Sequence, residues 1–182
     1  IFAAISLFDG CTAAGAGAAA GLACAAFAPA TGFAAGWAFA GTGGFGLLAT
    51  VGDLVARQKG GKGFLALEAD EKPLPPSMVT EATVRVACLT LSGRLLVFGV
   101  DELKVQGKGG RGLTLIDLDA KDALVSVAAF GAALQVLGTG RGGKARDEVL
   151  KGGALALHVG RRARKGKVVE AMKATRVLPT GL

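Results

Sequence analysis

Apolar residues in the last two-thirds of the chain come in short runs, each closed by a glycine or by a charged pair. Val84, Val86 and Cys88 alternate with Arg85 and Ala87, as a half-buried strand over 84–91 should. Leu95-Leu96-Val97-Phe98 is a β-rich run that stops at a tight turn, Asp101-Glu102. Residues 46–50 and 54–56 read as two short strands around a turn at Gly52-Asp53, and 64–67 as another strand. Runs at 124–129 and 132–137 look like an antiparallel pair around Phe130-Gly131. Leu155, Leu157 and Val159 alternate in the same way, and residues 175–178 form a closing strand. Nearer the start, Ile5-Ser6-Leu7-Phe8 ends in the turn Asp9-Gly10, and 22–27 and 33–39 are two further short strands, the second carrying Trp37 as a packing residue. Residues 68–76 are an acidic, proline-rich surface connection.

These runs repeat. Residues 44–63 return 49 positions later as 93–112, with Gly44/Gly93, Leu47/Leu96, Leu54/Leu103, Lys59/Lys108, Gly60/Gly109, Gly61/Gly110 and Gly63/Gly112 identical. Asp53/Glu102 and Lys62/Arg111 keep their charge. A looser third copy runs from Gly140 through Asp147, Glu148 and Leu150 to the basic run at 160–167. Short strands, frequent turns and such a period argue an all-β array of blades. A unit of about four strands cannot cover its own faces and must stack on its neighbours. A chain of 182 residues holds about four such units, in one domain.

Charge is distributed unevenly over this frame. The net charge is +7, yet residues 1–50 hold a single charged side chain, Asp9, and residues 11–52 hold none. The remainder carries all 21 Lys and Arg against 13 acids, a net of +8, which points to a polyanionic partner. The alanine- and glycine-rich first 43 residues say little about structure. The uncharged run is long enough to span a bilayer, but Ala and Gly are weak membrane drivers, Pro29 interrupts it, and no basic or aromatic anchors flank it. The first residue is Ile rather than Met, as in a piece of a longer chain, and no basic segment with a small-residue cleavage site marks a signal peptide.

Most site chemistries find no support. Cys11, Cys24 and Cys88 are scattered, His158 is the only histidine, and no metal-ligand spacing occurs. Three such thiols fit a reducing cytoplasm. Gly41-x-Gly43-x-x-Gly46 matches a dinucleotide fingerprint, with Glu68 as the ribose acid, but the copy at 90–95 keeps one glycine. The P-loop spacing at 138–144 is followed by Ala145 where a hydroxyl should be. His158 has no recognisable catalytic partner, the acids lie mainly in turns, and the absence of Tyr removes tyrosine chemistry.

The basic loops stand apart because they recur in register. Arg57, Lys59 and Lys62 form the first, Lys104, Lys108 and Arg111 the second, and Arg161, Arg162, Arg164, Lys165 and Lys167 the third, with Arg141, Lys144 and Arg146 adding to the same side. Glycines between them let backbone N–H groups approach phosphate, and the cations neutralise it without reading bases. No stacked aromatic pattern accompanies them, so duplex is favoured over single strands.

At these residues a resemblance becomes specific. Arg57-Gln58-Lys59-Gly60-Gly61-Lys62-Gly63 resembles the basic glycine box of the carboxy-terminal domains of bacterial type IIA topoisomerases, in the subunit that carries the cleavage core. The run 92–98, Asp101-Glu102-Leu103, the loop 107–112 and Leu115-Ile116 resemble a blade of the same domain, most closely that of topoisomerase IV. The likeness covers about residues 44–178. It implies a β-pinwheel, a propeller-like disc, open or closed, that binds and bends duplex DNA at a basic rim and presents a DNA segment to a cleavage core elsewhere. It implies no catalytic residue and no cofactor in this domain, with ATP and Mg2+ used elsewhere in the whole enzyme. The partners implied are duplex DNA, the rest of the cleavage subunit and the separate ATPase subunit, in the bacterial cytoplasm at the nucleoid, with no membrane. The altered order of the first box and the looseness of the later ones favour bending over the chiral wrapping of the gyrase relative. That relative's role, a protein-binding scaffold with a basic rim, and a nucleotide-dependent enzyme are the alternatives.

Overall fold

The computed structural model describes residues 36–56, 61–140, 142–170 and 172–180. The strands expected at 5–8 and 22–27 lie outside the described residues, as does the first part of the one at 33–39. The described residues build three antiparallel sheets, each on one β-hairpin. In the first, β1 (Gly36–Ala40) pairs with β2 (Phe45–Thr50), from Gly36 opposite Thr50 to Ala40 opposite Gly46. β3 (Ser77–Val79) lies on the other side of β1, and β6 (Leu113–Thr114) on the other side of β2. In the second, β4 (Arg85–Thr90) and β5 (Arg94–Gly99) form the hairpin, flanked by β7 (Leu124–Phe130) and β10 (Lys167–Val168). In the third, β8 (Ala133–Thr139) pairs with β9 (Ala145–Lys151) and with β11 (Lys173–Thr180).

One rule generates all three. Each hairpin receives its inner strand from its own repeat: β3, β7 and β11. The first and second also receive an outer strand from the repeat that follows, β6 crossing back to the first sheet and β10 to the second, while the third has three strands among the described residues. The turn closing each hairpin has glycine in the left-handed region, Gly44 at φ 82°, Gly93 at 81° and Gly143 at 75°, a conformation that costs other residues about 1–2 kcal/mol.

The blades stack face to face. In β4 and β5, Val86, Cys88, Leu96 and Phe98 face the first sheet's Ala38, Ala40, Leu48 and Val79. Ala87, Leu89, Leu95 and Val97 face the opposite way, onto Leu134, Val136, Leu150 and Val177. The half-buried alternation expected for 84–91 is therefore replaced by burial on both sides. Val86 to Leu89 are all fully buried, while Val84, outside the strand, is exposed. A middle blade has no solvent face, and its strands become continuous apolar runs.

Three local expectations are corrected. Residues 54–56 form no strand. Thr50 Oγ1 donates to Asp53 Oδ2 at 2.6 Å and closes a single helical turn, α1 (Val51–Leu54). β7 and β8 do not pair with each other; β7 belongs to the second sheet and β8 to the third. Gly131 makes the crossing, where a Cβ would come within 2.9 Å of the Ala82 carbonyl. Leu155 lies in a second short helix, α2 (Gly152–Ala156), and packs in the core, while Leu157 and Val159 are exposed. Among the described residues no helix is long and apolar enough to cross a membrane.

Candidate nucleic-acid interface

The second and third basic boxes are chain reversals hung on the outer edges of the blades. Val105 bridges Leu48 in parallel, the box turns the chain round, and Leu113–Thr114 returns antiparallel along Phe45 and Gly46. The third box does the same one blade on. Val159 bridges Val97 in parallel, and Lys167–Val168 returns along Leu95 and Arg94. Gly112, at φ 85°, is required at the first return, because a Cβ there would lie 2.2 Å from the Gly46 carbonyl oxygen.

Successive boxes are joined backbone to backbone. The Gly110 N–H donates to the Phe64 carbonyl at 2.9 Å, and Ala66 N–H to the Gly110 carbonyl at 3.0 Å. The next junction repeats this: Ala163 N–H donates to the Leu115 carbonyl at 2.9 Å, and Asp117 N–H to that of Arg164 at 3.2 Å. Lys62 adds a cross-link from the end of the first box to the start of the second, its ammonium 3.2 Å from the Gly107 carbonyl and 5.4 Å from the Phe64 ring centroid. The segment expected to be a strand at 64–67 is spent on this seam, with one isolated bridge between Leu65 and Gly110.

The sequence-derived cations divide into two groups. Lys104 and Lys108 on the second box, and Arg161, Arg164 and Lys167 on the third, are exposed, and among the described residues no acid forms an ion pair with them. Others are held by the protein. Arg111 lies over the Phe45 ring, 4.1 Å from its centroid, and forms ion pairs with Glu68 and, at 3.3 Å, with Glu71. The hydrogen bond to Glu68 raises its pKa above the ordinary arginine value. Arg162 is half-buried; its guanidinium donates to the Thr114 carbonyl at 2.7 Å, and its N–H to Glu102 at 2.9 Å. Lys165 pairs with Asp119, which also faces Arg94 at 3.7 Å. The hydrogen bond from Lys165 pulls the Asp119 carboxyl below its usual range.

Lys144 is exposed in the turn of the β8–β9 hairpin, equivalent to 91–93, and Arg146 is exposed on β9 opposite Gly138, so neither lies in a box. Arg57, Lys59 and Arg141 lie outside the described residues. Sequence reasoning missed Phe45 and the acids that grip the boxes. Acids in turns are ordinarily solvated, and the 49-residue period aligns Asp119 with Asp70, not with Glu68 or Glu71, which grip the second box, so it gave only the acidic stretch and not the partners.

Other chemistry finds no footing. The glycine fingerprint 41–46 is the β1–β2 hairpin, with a strand where a nucleotide site needs a helix, and the 138–144 spacing is likewise a hairpin. His158 is half-buried, and burial lowers its pKa against the opposing pull of the Leu95 and Lys167 carbonyls. Cys88 is fully buried, which raises its thiol pKa far above the ordinary value and leaves it inert. Among the described residues no cluster of His, Cys, Asp and Glu could hold a metal ion.

Comparison with known proteins gives a consistent picture. A family model described as DNA gyrase C-terminal domain, beta-propeller, matches residues 85–130. The chain is 31% identical over 134 residues to the A subunit of DNA topoisomerase 4 from Neisseria gonorrhoeae, covering 70% of this chain and 17% of that protein. It is 30% identical over 133 residues to the Escherichia coli K12 counterpart, covering 72% and 16%. Over 81 residues it is 36% identical to the Haemophilus influenzae counterpart, covering 43% and 11%. The chain thus spans 11 to 17% of the length of these relatives. In fold it is similar to the E. coli ParC C-terminal domain, with a TM-score of 0.69 at 24% identity over 79% of this chain and 60% of that one. A gyrase A C-terminal domain gives 0.63 at 15% identity, over 81% and 50%.

Proposed function

This chain belongs to the family of C-terminal β-propeller domains found in gyrase A and its topoisomerase IV counterpart, and on that premise we propose that it is the duplex-DNA-binding and DNA-bending module of a topoisomerase IV. The observation that carries this reading is the equivalent placement of the second and third boxes on the outer edges of successive blades. A duplex touching both must follow the perimeter from one blade to the next. Lysine, arginine and glycine N–H groups are suited to phosphate oxygens, which carry no sequence information, so contact made through them is sequence-tolerant.

In this reading the chain carries out no catalytic step. It holds a DNA segment for a cleavage core in the rest of its own polypeptide, while ATP, Mg2+ and the ATPase partner are features of the larger enzyme of the bacterial cytoplasm. The cations of a box act collectively, each replacing a condensed counterion on the duplex. With six or more phosphates contacted, affinity for a duplex of a few tens of base pairs falls roughly a thousandfold between 50 and 200 mM salt. A fluorescence titration against a labelled duplex measures this directly. A change of only a few-fold would rule the reading out and favour a scaffold whose rim contacts an acidic protein.

A further inference from the structure

The acids beyond each box-exit segment reach over to the basic box of the following repeat, and they do so twice. After the first exit segment, Glu68 and Glu71 hold Arg111 of the second box. Glu71 is itself fixed, its Oε2 accepting the Glu68 N–H at 3.0 Å, and its side chain is only 11% exposed. After the second exit segment, Asp119 holds Lys165 of the third box. Asp119 stands 49 residues after Asp70, within the same short acidic stretch of its repeat. Fold stability alone does not call for these contacts. Arg111, Glu68, Lys165 and Asp119 all keep 40% or more of their side-chain surface in solvent, where an ion pair adds little to stability.

We propose that these acids stand in for DNA phosphate: they occupy one cation in the second box and one in the third, and a bound duplex must displace them to use it. Arg111 and Lys165 are then a reserve, engaged only when the duplex presses closely on the rim, while Lys108, Arg161, Arg164 and Lys167 make the first contacts. The acids thereby attenuate the rim and make its grip weaker than its cation content would allow. This inference rests on the DNA-binding reading and specifies how that same surface is tuned.

The test uses the whole 182-residue chain, with Glu68→Gln, Asp119→Asn and the control Glu170→Gln, an exposed acid outside the boxes. All three change net charge equally. Asp119→Asn, which removes the acid paired with Lys165, should add about one phosphate contact, steepening the logarithmic salt slope by about 0.9, an extra loss of about 3.5-fold between 50 and 200 mM salt, and Glu68→Gln, which leaves Arg111 paired with Glu71, should steepen it by less. At 50 mM their affinity should exceed that of the control. In an Arg111→Gln background, Glu68→Gln should act no differently from Glu170→Gln. A gain equal to the control's, or one that survives in the Arg111→Gln background, would overturn the inference and leave the DNA reading standing. No duplex binding by the unsubstituted chain would overturn both.

Discussion

Ala163 has φ 59°, the left-handed region, and is the non-glycine residue found there among the described residues. Its N–H makes the seam bond that Gly110, at φ 134°, makes in the second box, so both boxes use a positive φ at this bond but the third has alanine there. Ala163→Gly should therefore stabilise the chain by about 1 kcal/mol, raising Tm by roughly 2–4 °C. Thermal unfolding followed by circular dichroism reads this, and an unchanged or lower Tm would mean the surroundings already absorb the strain. For single residues the sequence was partly legible. Its glycines marked the turns and the boxes. The partners of Arg111, Arg162 and Lys165 were hidden, because each bond spans 40 to 60 positions and no local spacing reports it.

Among the elements, two serines fasten one blade to the next. Ser77, in β3, accepts the Ala129 N–H at 2.8 Å. Ser126, 49 residues later in β7, accepts the Val177 N–H at 3.2 Å and donates to the Val177 carbonyl at 3.4 Å. Each joins the inner strand of one sheet to that of the next, where adjoining strands leave a groove of about 280 Å³ lined by Met78, Val127 and Leu178 among others. Ser126→Ala leaves a buried N–H unpaired and should cost about 1–3 kcal/mol, measured as a lower urea midpoint with unchanged m-value. Ser77→Ala should cost a similar amount, since Ala129 is fully buried and its N–H is likewise left unpaired. The 49-residue period located the hairpins, the boxes and the array, but it left the destination of each strand open. β7 was equally suited to pairing with β8 or β4, and the exit segments carry no mark sending them to the preceding sheet. The apolar runs of β4 and β5 were visible. Their burial on both faces was not, because a strand between two sheets and a strand with one wet face differ only in what stacks against them.

In the molecule as a whole, the stacking of blades turns a repeated loop into a track. The second and third boxes each offer two or three cations not already held by the protein, Lys104 and Lys108 in one and Arg161, Arg164 and Lys167 in the other, too few to hold a duplex at physiological salt. The repeat places further cations on the outer edge of the next blade, and the continuous seam from Phe64 to Gly110 and from Leu115 to Ala163 fixes one box against the next. Such a rim can guide a duplex along an arc. Imposing a consistent handedness over a long segment requires strong contact at every box, and Arg111 and Lys165 are already engaged by acids. The rim should therefore bind and bend a duplex without wrapping it chirally. Linking number decides this: the chain is bound to nicked plasmid at low salt, the nick is sealed, the protein is removed, and the linking number is read across a titration. Saturable binding with little or no change in linking number is expected. A progressive positive shift would show gyrase-like wrapping and contradict bending alone, and an absence of binding would contradict the DNA-binding role at the root.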